Sequence, residues 1–126
     1  MTLQEQLATV GKDGLAIQHI SNPSLDIQLQ AVKNNPHAIK YIQNPSEQVQ
    51  LEAIKIYPTV IEYIQNPSLQ VQIQAIKKNP YSIYYIQNPS FKIIEECLKL
   101  NNQLLKYVNL NTLSLDKINY LKLKYK

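Results

Sequence analysis

The feature that most constrains this chain is a phrase that recurs every 22 residues. The six residues Tyr41 to Ser46 return almost unchanged at Tyr63 to Ser68 and at Tyr85 to Ser90, and a looser copy begins at His19. A fixed period of about 20 to 50 residues is typical of proteins built from stacked structural repeats. The chain is therefore expected to be a series of similar units, each resting on its neighbours.

Each period is predicted to contain two helices. In the unit that begins at Asn44, we expect Asn44 to cap helix A, Pro45 to occupy its first position and Glu47 to complete a capping box. Helix A should end at about Ile56 or the residue before it. Pro58 cannot continue that helix, so it should begin a second, shorter helix B. The same corners recur in the other units, and Asn22, Asn44, Asn66 and Asn88 are all interpreted as helix caps.

The pattern predicts one all-α domain over residues 1–126, an α-solenoid of about five two-helix repeats. The repeat register extends helix A back to Thr2 to Val10 and helix B to Gly14 to Ile20, and it leaves a final degenerate helix at about Leu113 to Lys124. The predicted subdivision is an N-terminal cap repeat at 1–21, regular repeats at 22–109 and a basic C-terminal capping helix at 110–126. Atypical ends are expected of a stacked-repeat protein.

Helix A carries an apolar arc that covers more than half of its surface, so it should be covered both by its own helix B and by the next repeat. Leu25 and Leu69 lie at one edge of this arc. Glutamines interrupt its middle, and we expect them to form a structural ladder that bonds neighbouring loop backbones or one another. The ladder glutamines are Gln28, Gln50 and Gln72.

The unit Asn-Pro-Ser-x-x-Val-Gln-x-x-Ala-Ile-x-x-Asn-Pro, complete at Asn66 to Pro80, resembles the leucine-rich variant repeat. The resemblance covers residues 15–108 and implies a right-handed solenoid in which α-helices alternate with short 3₁₀-like helices. It implies no catalytic or ligand-binding residues. The unit is shorter than the usual family repeat, and Gln50 and Gln72 stand where the family generally has arginine. Helix B could be α or 3₁₀, and isoleucine pairs three residues apart suit either form.

Charge and composition bear on the binding partners and the cellular compartment that can be expected for the protein. All 13 basic residues are lysine, and residues 100–126 hold five of them against one acid, so the net charge of +4 belongs to the last segment. Cys97 is the only cysteine, which favours a reducing compartment, and we expect a cytoplasmic protein. No apolar run is long enough to span a bilayer, and no membrane association is expected.

Catalysis is not expected, because no set of titratable residues converges in the pattern. His19 and His37 fall in different repeats, and Cys97 occupies the column of Ala31 and Ala53, where a small thiol fills the core. There is no phosphate-binding loop and no metal-spaced cluster of His and Cys. The chain is therefore interpreted as a non-enzyme that needs no cofactor and no metal and takes no small-molecule substrate.

Binding of a protein partner is the favoured function, because a stiff repetitive face binds at a small ordering cost. Tyr81 and Tyr84 are candidate aromatic anchors. Abundant Ile, Lys, Asn and Tyr, with no Arg or Trp, indicate an AT-rich bacterial or phage genome. A narrower hypothesis is an inhibitor, from a phage or mobile element, of a bacterial defence nuclease such as a CRISPR effector.

Binding of single-stranded RNA is the alternative. A lysine column on helix A beside a tyrosine column on helix B could track and stack on an RNA strand. The tyrosines could instead bury their rings between helices and leave only the hydroxyls wet. The candidate lysines for partner contact are Lys33, Lys55, Lys77 and Lys99 in the column and Lys106, Lys117, Lys122 and Lys124 near the C-terminus.

Overall fold

The computed structural model describes residues 1–126 and is entirely helical, with six α-helices separated by five 3₁₀-helices. The α-helices are α1 Leu3–Lys12, α2 Leu25–Asn34, α3 Glu47–Ile56, α4 Leu69–Lys78, α5 Phe91–Leu100 and α6 Leu115–Lys124. The 3₁₀-helices are η1 Gly14–His19, η2 Pro36–Tyr41, η3 Pro58–Tyr63, η4 Pro80–Tyr85 and η5 Asn102–Tyr107. Helix B is therefore 3₁₀, which settles the choice that the sequence left open.

Successive helix pairs pack against their neighbours along the chain. The α-helices α1 to α5 contact one another in order, and η1 to η4 form a second row that packs against them. Between these rows lies one continuous core of 28 buried hydrophobic residues. Its columns repeat with the sequence period, as in Ala31, Ala53, Ala75 and Cys97, all of which are completely buried. No helix combines the length and the apolar character that are needed to cross a membrane.

The corners between units differ from the sequence prediction in one respect: serine, and not asparagine, caps each regular α-helix. In α3 the cap is Ser46, whose Oγ accepts a hydrogen bond from the backbone N–H of Val49 at 3.4 Å. Ser24, Ser68, Ser90 and Ser114 cap their helices in the same way. The prediction of Asn22, Asn44, Asn66 and Asn88 as caps was wrong. These asparagines have φ of 49° to 51° and turn the chain in the left-handed region.

Asparagine and serine exchange roles here because both are good cap residues, and only one of them also tolerates a positive φ. The two-residue shift also moves Pro45 out of the helix and makes Glu47 its first residue. The Glu47 carboxylate then accepts a hydrogen bond from Ser68 Oγ of the next corner at 2.7 Å, so it closes no capping box. The one capping box in the chain joins Thr2 and Glu5 at the start of α1.

The prolines in the middle of the units behave as predicted. Pro36, Pro58 and Pro80 each begin a 3₁₀-helix directly after a residue with extended backbone, which is the conformation that proline imposes on its predecessor. In η2, η4 and η5 the preceding asparagine caps the 3₁₀-helix. For example, Asn79 Oδ1 accepts a hydrogen bond from the N–H of Tyr81 at 3.0 Å. Helix α3 ends at Ile56, within the predicted limits.

Two apolar positions are more exposed than the predicted arc implied. Leu25 and Leu69 stand first in their α-helices and are each 45% exposed. In contrast, Ser82 is fully buried in the column of Ala38 and Val60, and its Oγ has no hydrogen-bond partner.

Candidate binding surface

The most regular exposed feature of the structure is a face formed where each 3₁₀-helix ends. The last residue of η2 to η5 is a tyrosine, and the exposed fractions of Tyr41, Tyr63, Tyr85 and Tyr107 are 41%, 38%, 40% and 61%. Of the two interpretations that the sequence left open, these fractions favour tyrosines that are available to a ligand over rings that leave only their hydroxyls in water. In η2 the two isoleucines three residues apart, Ile39 and Ile42, are buried on one edge of the 3₁₀-helix, which turns Tyr41 outward.

Two amide side chains follow three of these tyrosines, Tyr41, Tyr63 and Tyr85. Gln43 and Asn44 are both exposed, as are the equivalent pairs at 65–66 and 87–88. The positive φ of the asparagine fixes the turn that presents them. No intramolecular hydrogen bond involves these amide groups, whereas the glutamines of the adjoining α-helices are bonded to the backbone. We call the surface formed by the exposed Tyr, Gln and Asn of the corners the Tyr-Gln-Asn face.

Grooves run between consecutive corners of this face. The largest has a volume of about 780 Å³ and lies between the corners after η3 and η4, where Glu62, Gln65, Tyr85 and Gln87 contribute to its walls. A groove of about 460 Å³ follows it towards the C-terminus and includes Tyr84 and Tyr107. Another of about 380 Å³ lies near the N-terminus, and includes Tyr41. No lysine lines any of these three grooves.

The lysine column lies elsewhere. Lys55 and Lys77 line a groove of about 520 Å³ between α3 and α4, together with Lys78 and the glutamines Gln70 and Gln74. No aromatic residue lines this groove. Lys33 is exposed at the corresponding position on α2. Lys99 is also exposed, and its Nζ lies 3.3 Å from Glu96 Oε1. The structure therefore does not bring the lysine and tyrosine columns together in one groove.

The lysines near the C-terminus are largely occupied by contacts within the chain. Lys124 Nζ lies 3.3 Å from Glu95 Oε2 and 2.8 Å from the Tyr120 hydroxyl. Lys117 Nζ is 5.4 Å from the centre of the Phe91 ring. The Nζ of Lys106 is 5.2 Å from the Tyr107 ring. Lys122 is exposed. The Lys124 and Lys117 contacts tie α6 to α5, and all three contacts involve lysines that the RNA hypothesis assigned to a ligand.

The candidate anchors Tyr81 and Tyr84 lie together on η4, as their spacing of one 3₁₀ turn requires. They are 51% and 46% exposed, and their ring centres are 6.1 Å apart. Partial burial raises the pKa of the Tyr84 hydroxyl, and the neighbouring Tyr81 and Tyr107 phenols add to the shift. A second aromatic group surrounds His37, whose ring centre is 5.2 Å from that of Tyr57 and 6.1 Å from that of Tyr63.

The glutamines of the predicted ladder form their bonds within a unit and not across units. The Nε2 atoms of Gln28, Gln50 and Gln72 donate to the carbonyl oxygens of Pro23, Pro45 and Pro67 at 3.0, 2.9 and 2.9 Å. Each bond fastens a helix to the corner that precedes it. The Oε1 atom of Gln50 is buried and has no partner. The side chains are half-buried and do not bond one another.

Cys97 lies in the core, as its place in the alanine column predicted. Its side chain is fully buried, and its Sγ donates to the Pro80 carbonyl at 3.3 Å. Burial raises the pKa of the thiol to about 11. A thiol with so little thiolate is a poor nucleophile. No group of three or more His, Cys, Asp or Glu side chains lies close enough to hold a metal ion.

Glu62 is one of the positions at which the repeats differ, and such positions are the expected place for function, but the exposed amides that follow Tyr41, Tyr63 and Tyr85 were not predicted as surface residues. In the sequence, the phrase Tyr-Ile-Gln-Asn-Pro-Ser is interpreted as a structural corner. Its isoleucine, asparagine backbone, proline and serine form the corner, but its tyrosine is exposed and both of its amide groups have no hydrogen-bond partner within the chain. The signal was present in the sequence, because a glutamine recurs before Asn44, Asn66 and Asn88 although no cap requires it.

No protein-family model, curated protein or solved structure matches this chain. The identification of the 22-residue unit with the leucine-rich variant repeat therefore rests on the resemblance of the unit alone.

Proposed function

We propose that this protein is a non-enzymatic helical-repeat module that binds a protein partner along its Tyr-Gln-Asn face. The observation that carries the proposal is the recurrence of an exposed tyrosine and two unbonded amides at the end of successive units, with a groove between neighbouring corners. Tyrosine gives a large contact area at a small entropic cost, and it is enriched at protein interfaces. Fixed corners keep that cost low on both sides of each groove.

Protein is favoured over RNA because the lysine column and the tyrosine column line different grooves. A strand-binding groove combines stacking rings with cations that neutralise the phosphates. Here, the groove with Lys55 and Lys77 contains no aromatic ring, and no lysine lines the three grooves of the Tyr-Gln-Asn face. The cation that does stand on this face, Lys40, contacts Tyr41 and Tyr63 within the chain, and Lys99 shares a groove with Tyr125 outside the face. Glu62 on the Tyr-Gln-Asn face would also repel a phosphate backbone. RNA binding remains the second hypothesis, with Lys55, Lys77 and Lys78 as its best surface.

Affinity capture from a bacterial lysate, with and without ribonuclease, separates these hypotheses. The bait is the protein itself, compared with a variant in which Tyr63, Tyr85 and Tyr107 are changed to Ala, and with a matched variant in which Lys55, Lys77 and Lys78 are changed to Gln. We expect recovered proteins to survive ribonuclease and the lysine changes and to disappear with the tyrosine changes. Loss of every recovered protein on ribonuclease treatment would refute the proposal.

The finer architecture is also proposed: a right-handed solenoid of about five 22-residue units, similar to the leucine-rich variant repeat, in a cytoplasmic protein. Support comes from the order of helix packing, from 3₁₀-helices in the second row and from a single buried cysteine that needs no oxidising compartment. Inhibition of a bacterial defence nuclease stays a hypothesis from composition. Co-purification of the protein with a purified CRISPR effector, and loss of cleavage by that effector, would test it directly.

A further inference from the structure

A side chain of the protein itself shows what fits between two tyrosines of the Tyr-Gln-Asn face. Lys40 Nζ lies 5.1 Å from the centre of the Tyr41 ring and 5.8 Å from the centre of the Tyr63 ring. Both distances are within the range of a favourable cation–π interaction. The space between the tyrosines of adjacent units therefore accepts a cationic head group that contacts both rings.

The next space along the face is equivalent by the repeat but lacks this cation. Tyr63 and Tyr85 replace Tyr41 and Tyr63, and the residue in the place of Lys40 is Glu62. The Glu62 carboxylate makes no ion pair within 4 Å, and together with Tyr85 it lines the largest groove of the face. The neighbouring Glu62 carboxylate, more than the partial burial that adds to its effect, raises the pKa of Tyr63.

The space after that is partly filled from within. Tyr84 takes the place of Glu62 there, and it lies with Tyr107 in a groove of about 460 Å³, against about 780 Å³ for the groove beside Glu62. Three consecutive spaces thus hold, in order, the cation of Lys40, an unpaired carboxylate and an aromatic ring. Only the middle space, beside Glu62, combines an open groove with a charge that has no ion-pair partner in the chain.

We propose that the groove beside Glu62 receives a lysine or arginine side chain from an extended segment of the protein partner. The inference rests on the proposed function and specifies its ligand. The carboxylate supplies a charge-assisted acceptor, and the ring of Tyr85 supplies a cation–π surface. The free amides of Gln65, Asn66, Gln87 and Asn88 offer donors and acceptors to the backbone of an extended segment, because that backbone presents both in alternation.

Nuclear magnetic resonance titration of the ¹⁵N-labelled protein provides the test. The probes are capped nonapeptides of serine and threonine with one central residue, which is Arg, Lys, Gln or Glu. We expect the Arg and Lys peptides to cause saturable shifts at the amides of Glu62, Tyr85 and Gln87. The Glu62→Gln variant should bind them about two- to fivefold more weakly, the range expected for loss of an exposed charge pair while the cation–π contact with Tyr85 remains.

The Lys40→Glu variant is the sharper test, because it reproduces the Glu62 arrangement one unit earlier. It should gain a second set of shifts around Tyr41 and Tyr63 with the Arg peptide, while Lys40→Gln should gain little. All three changes are at exposed positions, and circular dichroism would confirm that the variants remain folded.

Equal shifts at this groove with the Gln or Glu peptide would overturn the inference and leave the proposed function standing. Absence of shifts on the Tyr-Gln-Asn face with every peptide would also overturn it, and the capture experiment with the tyrosine variant would then decide the proposed function separately. Binding of the Arg peptide that is unaffected by Glu62→Gln would count against the assigned residue.

Discussion

At the scale of single residues, the corner of each unit uses two different residues to make the turn and to cap the α-helix, although the sequence suggests that either residue could be the cap. Asparagine makes the left-handed turn, and serine two positions later caps the α-helix. Both residue types are favoured caps, so the pattern Asn-Pro-Ser is compatible with a cap at either position. The geometry decides between them, because only the serine has the extended backbone of a cap, with φ of −66° and ψ of 162° at Ser46.

A pair of threonine substitutions tests this division of tasks. Asn44→Thr should reduce the free energy of unfolding by about 1–2 kcal/mol, because a β-branched residue is strained at positive φ. Ser46→Thr should change it by less than about 0.5 kcal/mol, because threonine is also a competent cap, as Thr2 is in α1. Urea unfolding followed by circular dichroism gives both values. A larger loss for Ser46→Thr than for Asn44→Thr would reverse the assignment.

At the scale of elements, α6 differs from the other α-helices in how it is held. It places Leu121 and Tyr125 in the core, and polar contacts with Glu95 of α5 complete its attachment. The Tyr125 hydroxyl donates to Glu95 Oε2 at 3.1 Å, and Lys124 reaches the same oxygen. Burial raises the pKa of Glu95, but the Tyr120, Tyr125 and Lys124 side chains outweigh that effect and lower it below 4.5.

This lowered pKa gives the docking of α6 a definite pH dependence. A carboxyl whose pKa is lower in the folded state stabilises that state above its unfolded pKa of about 4.5, and this stability is lost as the pH falls through the lower folded value. Amide hydrogen exchange of residues 121–125 should therefore accelerate below pH 4.5, after correction for intrinsic exchange. Glu95→Gln should exchange faster at neutral pH and lose this dependence.

Glu96→Gln is the matched control on the same helix. Its partner Lys99 is exposed and only three residues away, and such surface pairs contribute about 0–1 kcal/mol. The variant should leave the exchange of α6 and its pH profile nearly unchanged. An equal effect of the two substitutions would show that general charge, and not the Glu95 contact, holds α6.

Most of the helix boundaries could be predicted from the sequence, because the 22-residue period repeats them and prolines mark where the 3₁₀-helices begin. Pro58 marks the start of η3, and the period transfers that boundary to η2 and η4. The attachment of α6 could not be predicted, because Glu95 meets Lys124 and Tyr125 across 29 and 30 residues with no second copy to reveal the pairing. The exposure of Tyr63 could not be predicted either, because a tyrosine at the boundary between the apolar and polar faces of a helix can be buried against the next helix or exposed to solvent.

At the scale of the whole molecule, each helix pair depends on the pairs beside it. Helix α3 contacts both α2 and α4, and it also packs against η2 and η3. Ala53 lies at the centre of these contacts with no exposed surface. A protein of this kind is held by the interfaces between neighbours, so it should fail as a unit when a central interface fails.

Ala53→Asp tests this dependence by placing a charge where the helices touch. A buried, unpaired carboxylate is costly, and the side chain has no space at a completely buried alanine. The change should unfold the entire chain and not one unit, because two complete helix pairs remain on either side and about three are needed for stability. Circular dichroism at 25 °C should show loss of most helical signal.

Lys55→Gln, a change at an exposed residue two positions later on α3, is the control and should change the free energy of unfolding by no more than about 0.5 kcal/mol. Retention of half the helical signal by Ala53→Asp would instead show that the two ends of the molecule fold independently.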